Sequence, residues 1–259
     1  MQEVFYMPFS DEARSYDDTR KRTGINYFKF TPDYRTVVRI LNPSARTVWK
    51  HFIPTANAGK GSGAVCPNIT AGLNVCPIEA AVAHLPKDDA ERKNSNARRK
   101  FVVNVLDRTP HTTCSTCNTE TPGKTNAASR SKQCVSCGAD LKGHDFKPLN
   151  KVKILESGPQ LFNQQLNVIE QMQKEELDVD ITAYDITFTT QGVGRDRKIT
   201  AMPQDPKPIE EDAFIDAETG ETQALYDLEL LGEPSSAEEI TLMVQGATME
   251  QLNAVKGIV

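Results

Sequence analysis

The sequence has little that favours a membrane or secreted protein. No run of apolar residues approaches the roughly 20 that a helix needs to cross a bilayer. The N-terminal stretch MQEVFYMPFSDEARSYDDTRKR lacks the basic-then-apolar order of a signal peptide. These absences predict a cytoplasmic protein without membrane contact. In that reducing compartment, paired cysteines indicate metal ligands more often than disulfides.

Enzyme motifs are also scarce. The chain has only four histidines, no His-Glu-x-x-His motif and no recognisable Ser/His/Asp set. The stretch AGKGSG at residues 58–63 lacks the order of a phosphate-binding P-loop. Paired acids such as Asp88 and Asp89 lie in polar stretches, where solvated charge is the commoner role. We therefore predict that the protein is not an enzyme, with a metal-dependent nuclease as the open alternative.

Charge is distributed unevenly along the chain. From Gln204 to the end there are thirteen acidic and two basic residues, whereas residues 1–203 contain 28 basic and 22 acidic ones. This asymmetry predicts a body that binds a polyanion and an acidic tail that repels or mimics the polyanion. A solvated tail without a partner is the alternative.

Short strand patterns dominate the body. The segments TVVRIL (36–41) and TVWKHFI (47–53) flank Asn42-Pro43-Ser44, which predicts a hairpin. FVVNVLD (101–107) and KVKILE (151–156) are typical of further strands. A second hairpin is predicted over 180–202, with Tyr184, Ile186 and Phe188 on one face.

Helical patterns are fewer. Residues 76–85 predict a helix with Pro77 in its first turn, and a stripe from Leu161 to Met172 predicts another. Capping-box patterns at Ser236 and Thr248 predict two short helices near the end of the chain. The fold class is therefore α+β and mostly antiparallel β, with an OB-fold-like small barrel as the natural closure. The predicted parts are an N-terminal arm (1–26), the barrel domain (27–203) and an acidic linker and C-terminal interaction segment (204–259).

Four of the six cysteines form two C-x2-C pairs inside the body. Two such pairs bring four thiolates into a tetrahedral site, the geometry that zinc accepts. The Thr, Asn, Ser, Lys and Gly residues between the pairs have too little apolar surface to fold without a metal. The pattern predicts a structural zinc ribbon inserted at 110–148, with disulfide or redox use as the weaker alternative. Its ligands are Cys114, Cys117, Cys134 and Cys137.

The other two cysteines leave a choice open. Cys66 and Cys76 follow His51 along the chain, and Glu79 lies three positions after Cys76. One histidine, two cysteines and a carboxylate are sufficient for a second tetrahedral site. The alternative is that both cysteines are small buried apolar residues and His51 is a polar strand residue.

Several segments occur in a familiar order: YFKFTPDYRTVVRIL, TVWKHFI, the Cys66 to Cys76-Pro-Ile stretch, RRKFVVNVLD, KVKILESGPQLFNQQLNVI and DITAYDITFTTQGVGRDRKITAMP. Together they resemble the single-stranded DNA-binding proteins of T4-type tailed phages and their relatives, over about residues 27–203. The resemblance implies an OB-fold core that binds single-stranded DNA without sequence preference during phage DNA replication, recombination and repair. It also implies a bacterial host cytoplasm, a basic arm for cooperative binding and an acidic tail that recruits replication or recombination proteins.

The same resemblance bears on the second metal site. T4-type members hold a zinc ion with one His followed by three Cys, and His51, Cys66 and Cys76 match three of these ligands. The fourth position is Glu79 here, so the site is either a mixed-ligand zinc or a lost one that the ribbon replaces. The N-terminal arm mixes acids with its bases, which departs from the family pattern for cooperative binding.

Binding single strands without reading sequence needs cations along a groove and aromatic faces for the bases. The body interleaves both kinds of residue, and the aromatic choices are those with charged or polar neighbours. The predicted DNA contacts are Tyr27, Phe28, Lys29, Arg35, Arg39, Trp49, Lys50, Arg98, Arg99, Lys100, Tyr184, Arg195, Arg197 and Lys198. A zinc-ribbon RNA-binding or transcription regulator is the competing function, since preference for DNA or RNA depends on local geometry.

Overall fold

A computed structural model describes residues 26–30, 34–57, 59, 62–73, 76–123, 133–164, 167, 180–192, 198–216 and 219–255. The predicted arm, apart from Asn26, lies outside the described residues, as do Arg195 and Arg197. Of the helix predicted around Leu161, residues 159–164 are described and are helical.

The described chain is rich in short strands. They are β1 (Arg35–Ile40), β2 (Arg46–Ile53), β3 (Ser62–Val65), β4 (Arg98–Asp107), β5 (Pro110–Thr113), β6 (Glu120–Pro122), β7 (Lys147–Pro148), β8 (Lys151–Ser157), β9 (Tyr184–Gln191) and β10 (Lys198–Pro206). Besides the helical residues 159–164, the helices are α1 (Pro67–Ala71), α2 (Pro77–Val82), α3 (Ala90–Ser95), α4 (Leu228–Leu231), α5 (Ala237–Val244) and α6 (Met249–Val255). Two 3-10 turns occupy Ile181–Ala183 and Glu211–Phe214. The predicted α+β class with mostly antiparallel strands is confirmed.

Strand β4 is the centre of a seven-stranded sheet. Residues 101–107 are all buried because apolar side chains on both of its faces are covered. β8 pairs along one edge of β4, from Phe101↔Ser157 to Asp107↔Lys151. β1 and β2 share the opposite edge, and β9 with β10 extend beyond β1 while β3 extends beyond β2.

The predicted hairpin between β1 and β2 is wrong. Both strands pair antiparallel to β4, at Ile40↔Val105 and Arg46↔Val102, so they run end to end in one direction. Asn42 explains the interruption, because its side-chain oxygen accepts from the backbone N–H of Asn104 at 2.7 Å. A turn-like sequence here makes an irregular bulge within one long strand instead of a reversal.

The seven-stranded sheet does not close into a barrel within the described residues, because β3, β8 and β10 do not pair with one another there. Residues 26–28 instead lie along the outer edge of β8, where Tyr27 forms a parallel bridge to Ile154. The ring of Phe28 contacts Phe30, and Phe30 contacts Phe188 on β9, with centroids 5.1 and 5.2 Å apart. These contacts connect two distant strands across one face, so the sheet curves around that face.

This concave side, the inner face, carries the main core. Its buried side chains come from β1, β4, β8, β9 and the segment before β1: Phe28, Phe30, Val38, Ile40, Val103, Val105, Leu155, Ile186 and Phe188. The alternation of Tyr184, Ile186 and Phe188 predicted for β9 therefore does bury these side chains.

The opposite side, the outer face, is covered in its middle by the C-terminal segment (residues 204–255). Leu231 packs on Val48, Val102 and Ile154, and Ala213 packs on a neighbouring part of the sheet. The side-chain amide of Asn104 exchanges two hydrogen bonds with the backbone of Tyr226, at 3.0 and 2.9 Å.

The segment's last two helices also pack on the body. Ile240, Met243 and Leu252 are buried in one cluster with Cys66 and Cys76. The predicted capping boxes are confirmed, since Ser236 accepts from the Glu239 N–H and Gln251 accepts from the Thr248 N–H. The acidic composition of this segment predicted a linker. In the structure, however, its few apolar residues pack against the sheet. Within the described residues, no helix is both long and apolar enough to span a bilayer.

Candidate metal centres and the open sheet face

The four ribbon cysteines lie on two matching turns. The Cys114 N–H donates to the Thr119 carbonyl at 3.1 Å, and the Cys134 N–H donates to the Ala139 carbonyl at 2.8 Å. The residue after each pair adopts a positive φ, 54° at Asn118 and 72° at Gly138. Glycine and asparagine are the residues that tolerate this conformation best, which explains why the two turns can be alike.

The sulfur positions fit one tetrahedral metal ion. The four Sγ atoms all lie within 4.8 Å of one another, with Cys114 to Cys137 at 3.7 Å and Cys117 to Cys134 at 3.5 Å. A tetrahedron with metal–sulfur bonds of about 2.3 Å has edges of about 3.8 Å. The cluster is therefore compatible with a structural metal, and four thiolates leave no position for a substrate.

Polar groups favour a thiolate at two of the four sulfurs. The backbone N–H of Cys137 is the main cause that lowers the pKa of Cys134 to about 5, helped by Ser136 and the hydroxyl of Thr121. The Thr119 hydroxyl similarly lowers the pKa of Cys117. The backbone N–H of Ala139 also lowers the pKa of Cys137, but hydrogen bonds with the neighbouring thiols and burial outweigh it and raise that pKa to about 12.

The three-stranded sheet β6-β5-β7 carries these turns, and in the described part of the ribbon its hydrophobic core consists of Cys114, Cys134 and Leu141 with partly buried neighbours. We expect a core of this size to need a metal to stay folded.

The second predicted set of ligands also converges. The nearest donor atoms of His51, Cys66 and Cys76 all lie within 4.8 Å of one another, and all three residues are buried. The Cys76 Sγ lies 3.3 Å from His51 Nε2. Glu79 Oε1 lies 3.3 Å from the Cys66 Sγ and 3.8 Å from His51 Nε2.

Local sequence positions these groups. Cys66 and Cys76 each precede a proline that begins a short helix, α1 or α2. Asn68 connects the two helices, because its side chain accepts from the Cys76 N–H at 3.0 Å and donates to Glu79. On the far side, His51 Nδ1 lies 2.7 Å from the Ser95 carbonyl, which fixes the ring with Nε2 toward the cysteines.

The charges of this cluster are coupled. A hydrogen bond between the thiols, together with burial, raises the pKa of Cys66, and the same bond lowers the pKa of Cys76 to about 4. Burial opposes a charge on His51, but the hydrogen bond and the charge of Cys76 outweigh burial and raise the pKa of the imidazole. One histidine, two sulfurs and a carboxylate in reach form a donor set that fits zinc.

If both clusters bind metal, the purified protein should contain two zinc ions per chain. Replacing His51 with Ala should remove one of them, because the site would lose its only nitrogen ligand. Mass-spectrometric metal analysis of the folded chain measures the stoichiometry. His84→Ala is the matched control because His84 is exposed and belongs to neither cluster. A wild-type content of one zinc that His51→Ala leaves unchanged would contradict a second site.

The predicted stacking aromatics are mostly interior, which corrects the sequence-based choice. Tyr27, Phe28 and Tyr184 are 9%, 2% and 5% exposed, so their ring faces cannot receive bases in this structure. Trp49 is half-buried against the cluster that contains Cys66 and Cys76. Charged neighbours in sequence did not indicate exposure, because alternate residues of a strand point to opposite faces.

Two predicted cationic contacts are also buried. Arg39 is 1% exposed and its Nε contacts Asp185 Oδ1 at 2.8 Å. Lys50 is 5% exposed and its Nζ contacts Glu156 Oε2 at 2.6 Å. Lys100, half-buried, approaches the same glutamate at 3.6 Å. Arg39 and Lys50 are thus internal partners of buried carboxylates and are not free for phosphate.

The remaining predicted contacts are accessible to different degrees. Arg35, Arg98, Arg99 and Lys198 are exposed, whereas Lys29 is half-buried. The guanidinium of Arg99 lies 4.7 Å from the ring centre of Phe101, and that ring stacks on Phe162 at 3.9 Å. Arg99 therefore has one face on an aromatic ring.

Within the described residues, the outer side of β1, β9 and β10 is uncovered around Arg35, Thr189 and Thr200, whereas Arg39 and Asp185 farther along the same side are buried. We call this surface the open face. Register pairs Arg35 with Thr189 and Thr189 with Thr200, so side chains on three strands form rows. The surface combines two cations, three hydroxyls and an amide with two apolar side chains, and its residues are Arg35, Val37, Thr187, Thr189, Lys198, Thr200, Met202 and Gln204.

Sequence reasoning missed several residues around these sites. Arg108, Lys207 and Asp185 meet at one end of the open face, although they are far apart along the chain. No local pattern identifies them, since each sits at or beside the end of a strand. Asn118 was detectable, because it follows Cys117 as Gly138 follows Cys137.

Neither a scan against protein-family models nor a search of the curated proteins finds a match to this chain.

Proposed function

We propose that the protein binds single-stranded DNA without sequence preference and protects it during phage DNA replication and recombination. The observation that carries the proposal is the open face, an uncovered sheet surface with cations, hydroxyls and an amide and with no covering helix among the described residues. Such a surface offers donors to phosphates at several points and reads no base sequence.

The architecture supports the same proposal. A curved antiparallel sheet with one long interrupted strand is the arrangement from which a partly open barrel of the OB type is built. We take the body as an OB-fold-like domain and the 110–148 insertion as a zinc ribbon, with zinc favoured by the four-thiolate donor set. Pro110 and Pro148, at the base of the ribbon, border the open face, so the ribbon supports one end of this surface.

The burial of three predicted rings shifts the mechanism toward phosphate contacts. Arg35 and Lys198 are exposed, have no ion-pair partner among the described residues and are free to contact phosphates. Recruitment of replication or recombination proteins is assigned to the acidic surface of the C-terminal segment, while its apolar residues hold the sheet.

We expect the chain to bind oligothymidylate more tightly than a duplex, with affinity that falls as salt rises. Each phosphate contact contributes a slope of about −0.7 in log affinity against log salt, so three or four contacts predict roughly −2 to −3. Fluorescence titration across salt measures this slope. Lys198→Gln should reduce its magnitude by about 0.7, whereas Lys87→Gln, an exposed lysine off the open face, should not change it.

Three results would redirect the proposal. Equal or tighter binding of duplex would contradict single-strand binding. Tighter binding of RNA of the same sequence would favour the zinc-ribbon RNA-binding or transcription regulator. Metal-dependent cleavage of the oligonucleotide would establish a nuclease instead.

A further inference from the structure

A cavity of about 260 Å³ opens at one end of the open face. Its walls include Arg35, Arg108, Lys207 and Asp185, together with Pro110 and Pro148 at the base of the ribbon. We call it the basic cavity. Since one water occupies about 30 Å³ of liquid volume, the cavity has room for a group much larger than water.

One carboxylate in this cavity is shared by three cations. Asp185 Oδ1 contacts Arg39 Nε at 2.8 Å, while Oδ2 contacts Lys207 Nζ at 3.0 Å and Arg108 Nε at 3.4 Å. Arg35 is a fourth cation nearby and has no ion-pair partner among the described residues. The positive charge around Asp185 is therefore only partly compensated.

An unpaired donor adds to the same imbalance. Arg39 is 1% exposed, and its Nη2 has no hydrogen-bond partner among the described residues. Arg39 also lines a neighbouring cavity that shares Lys207 with the basic cavity. A buried guanidinium whose N–H group has no acceptor favours the binding of an acceptor, such as an anion, nearby.

Glu210 shows where an anion sits beside Arg108. Its carboxylate is 61% exposed, and its Oε2 lies 3.3 and 3.4 Å from the two terminal nitrogens of Arg108. Including Glu210 and Asp180, whose carboxylate interacts with the charge of Arg39, three carboxylates face four cations. The contact is long and solvated, so the free energy that holds Glu210 there is small.

The polar groups on the cavity wall suit a phosphate. Gln204 Nε2 donates to Thr187 Oγ1 at 2.8 Å, which places an amide and a hydroxyl beside the cations. Arg108 offers a planar guanidinium, and Arg35 and Lys207 offer exposed charged ends that can close on a ligand. The cavity is also continuous with the row of side chains on the open face, through Thr187 and Gln204.

We propose that the basic cavity binds one phosphate group, a phosphodiester of the strand that lies on the open face. This inference rests on the proposed function and adds to it a fixed phosphate site beside the ribbon. The phosphate contacts Arg35, Arg108 and Lys207 and displaces the Glu210 carboxylate from Arg108.

Two exposed lining residues allow a test that keeps the fold intact. Arg35→Gln and Lys207→Gln should each reduce the magnitude of the salt slope for oligothymidylate by about 0.7, and the double variant by about twice that. Lys87→Gln is the matched control and should leave the slope unchanged. Circular dichroism and zinc content should remain as in the wild type for all three single variants.

A second arm separates this inference from the proposed function. Calorimetric titration of the full chain with inorganic pyrophosphate should show binding that the double variant loses and the Lys87→Gln control retains. If Arg35→Gln and Lys207→Gln bind oligothymidylate with the salt slope of the wild type, the phosphate site in the basic cavity is contradicted, while single-strand binding on the open face is not. Pyrophosphate binding without any oligonucleotide binding would keep the phosphate site and reject the proposed function; absence of both would reject the two together.

Discussion

Replacing Cys134 with Ser is expected to remove one zinc ion per chain and to unfold the ribbon, residues 110–148, while the seven-stranded sheet stays folded. Cys134 lies 4% exposed at the centre of the ribbon and is one of four sulfurs within 4.8 Å. The described part of the ribbon has three short strands and a hydrophobic cluster of three buried residues, too small to offset the entropy of ordering the module. Structural zinc supplies about 10–16 kcal/mol of apparent binding free energy in comparable small modules.

Metal analysis and amide hydrogen exchange together measure this outcome. Protection should disappear in β5 and β6 and persist in β4, whose pairing with β8 and β2 does not involve the ribbon. Ser136→Ala is the matched control, because only the backbone N–H of Ser136 contacts Cys134 and alanine keeps it. A Cys134→Ser protein that keeps its full zinc content and its protection in β5 would contradict a metal-dependent ribbon.

The same variant shows whether the open face or the ribbon is the main surface that binds nucleic acid. If the open face binds the strand, Cys134→Ser should retain most single-strand affinity, since Arg35 and Lys198 lie on β1 and β10. Complete loss of binding with the sheet intact would instead favour the ribbon as the primary site, as expected of a zinc-ribbon regulator.

Replacing Asp185 with Ala is expected to lower the free energy of unfolding by about 3–5 kcal/mol. The carboxylate is 2% exposed and pairs with Arg39, which is 1% exposed and connects β1 to the carbonyls of Thr182 and Lys207. Removing one partner of a buried ion pair leaves the other charge without compensation in a medium of low polarity. Arg108 and Lys207 would lose their shared acceptor as well.

Chemical denaturation of both proteins at neutral pH gives the difference. Glu229→Gln is the matched control, since Glu229 pairs with Arg46 at 3.0 Å but is 74% exposed, and it should change stability by less than about 1 kcal/mol. Equal, small effects of Asp185→Ala and Glu229→Gln would mean that the Asp185 cluster is hydrated and does not hold β1 to β9.

Local sequence was sufficient wherever one short stretch contains the whole cause of a structure. Two C-x2-C pairs determine that four sulfurs can meet, and the capping boxes at Ser236 and Thr248 are complete within four residues. The strand at 101–107 was equally clear from the sequence, because a short run of mostly apolar residues is typical of a strand that is buried on both faces.

Local sequence failed where the cause lies in a distant segment. Asn42-Pro43-Ser44 has the composition of a reversal, yet pairing of β1 and β2 with β4 turns it into a bulge. Arg39 and Lys50 look like surface cations until Asp185 and Glu156 are placed beside them. Tyr27 and Phe28 look accessible until residues 26–28 lie along β8.

The sequence by itself determined the features whose cause lies in one short stretch of chain, such as the ribbon cysteines and the helix caps. It also determined the mostly antiparallel β class and the imbalance of charge. Only the tertiary structure decided which face of each strand is covered, and therefore which cations and rings remain for a ligand. The physical reason is that burial of a side chain depends on what packs against its strand from elsewhere, as the C-terminal segment does on the outer face. That same packing leaves the open face, with Arg108 and Lys207 at its end, exposed.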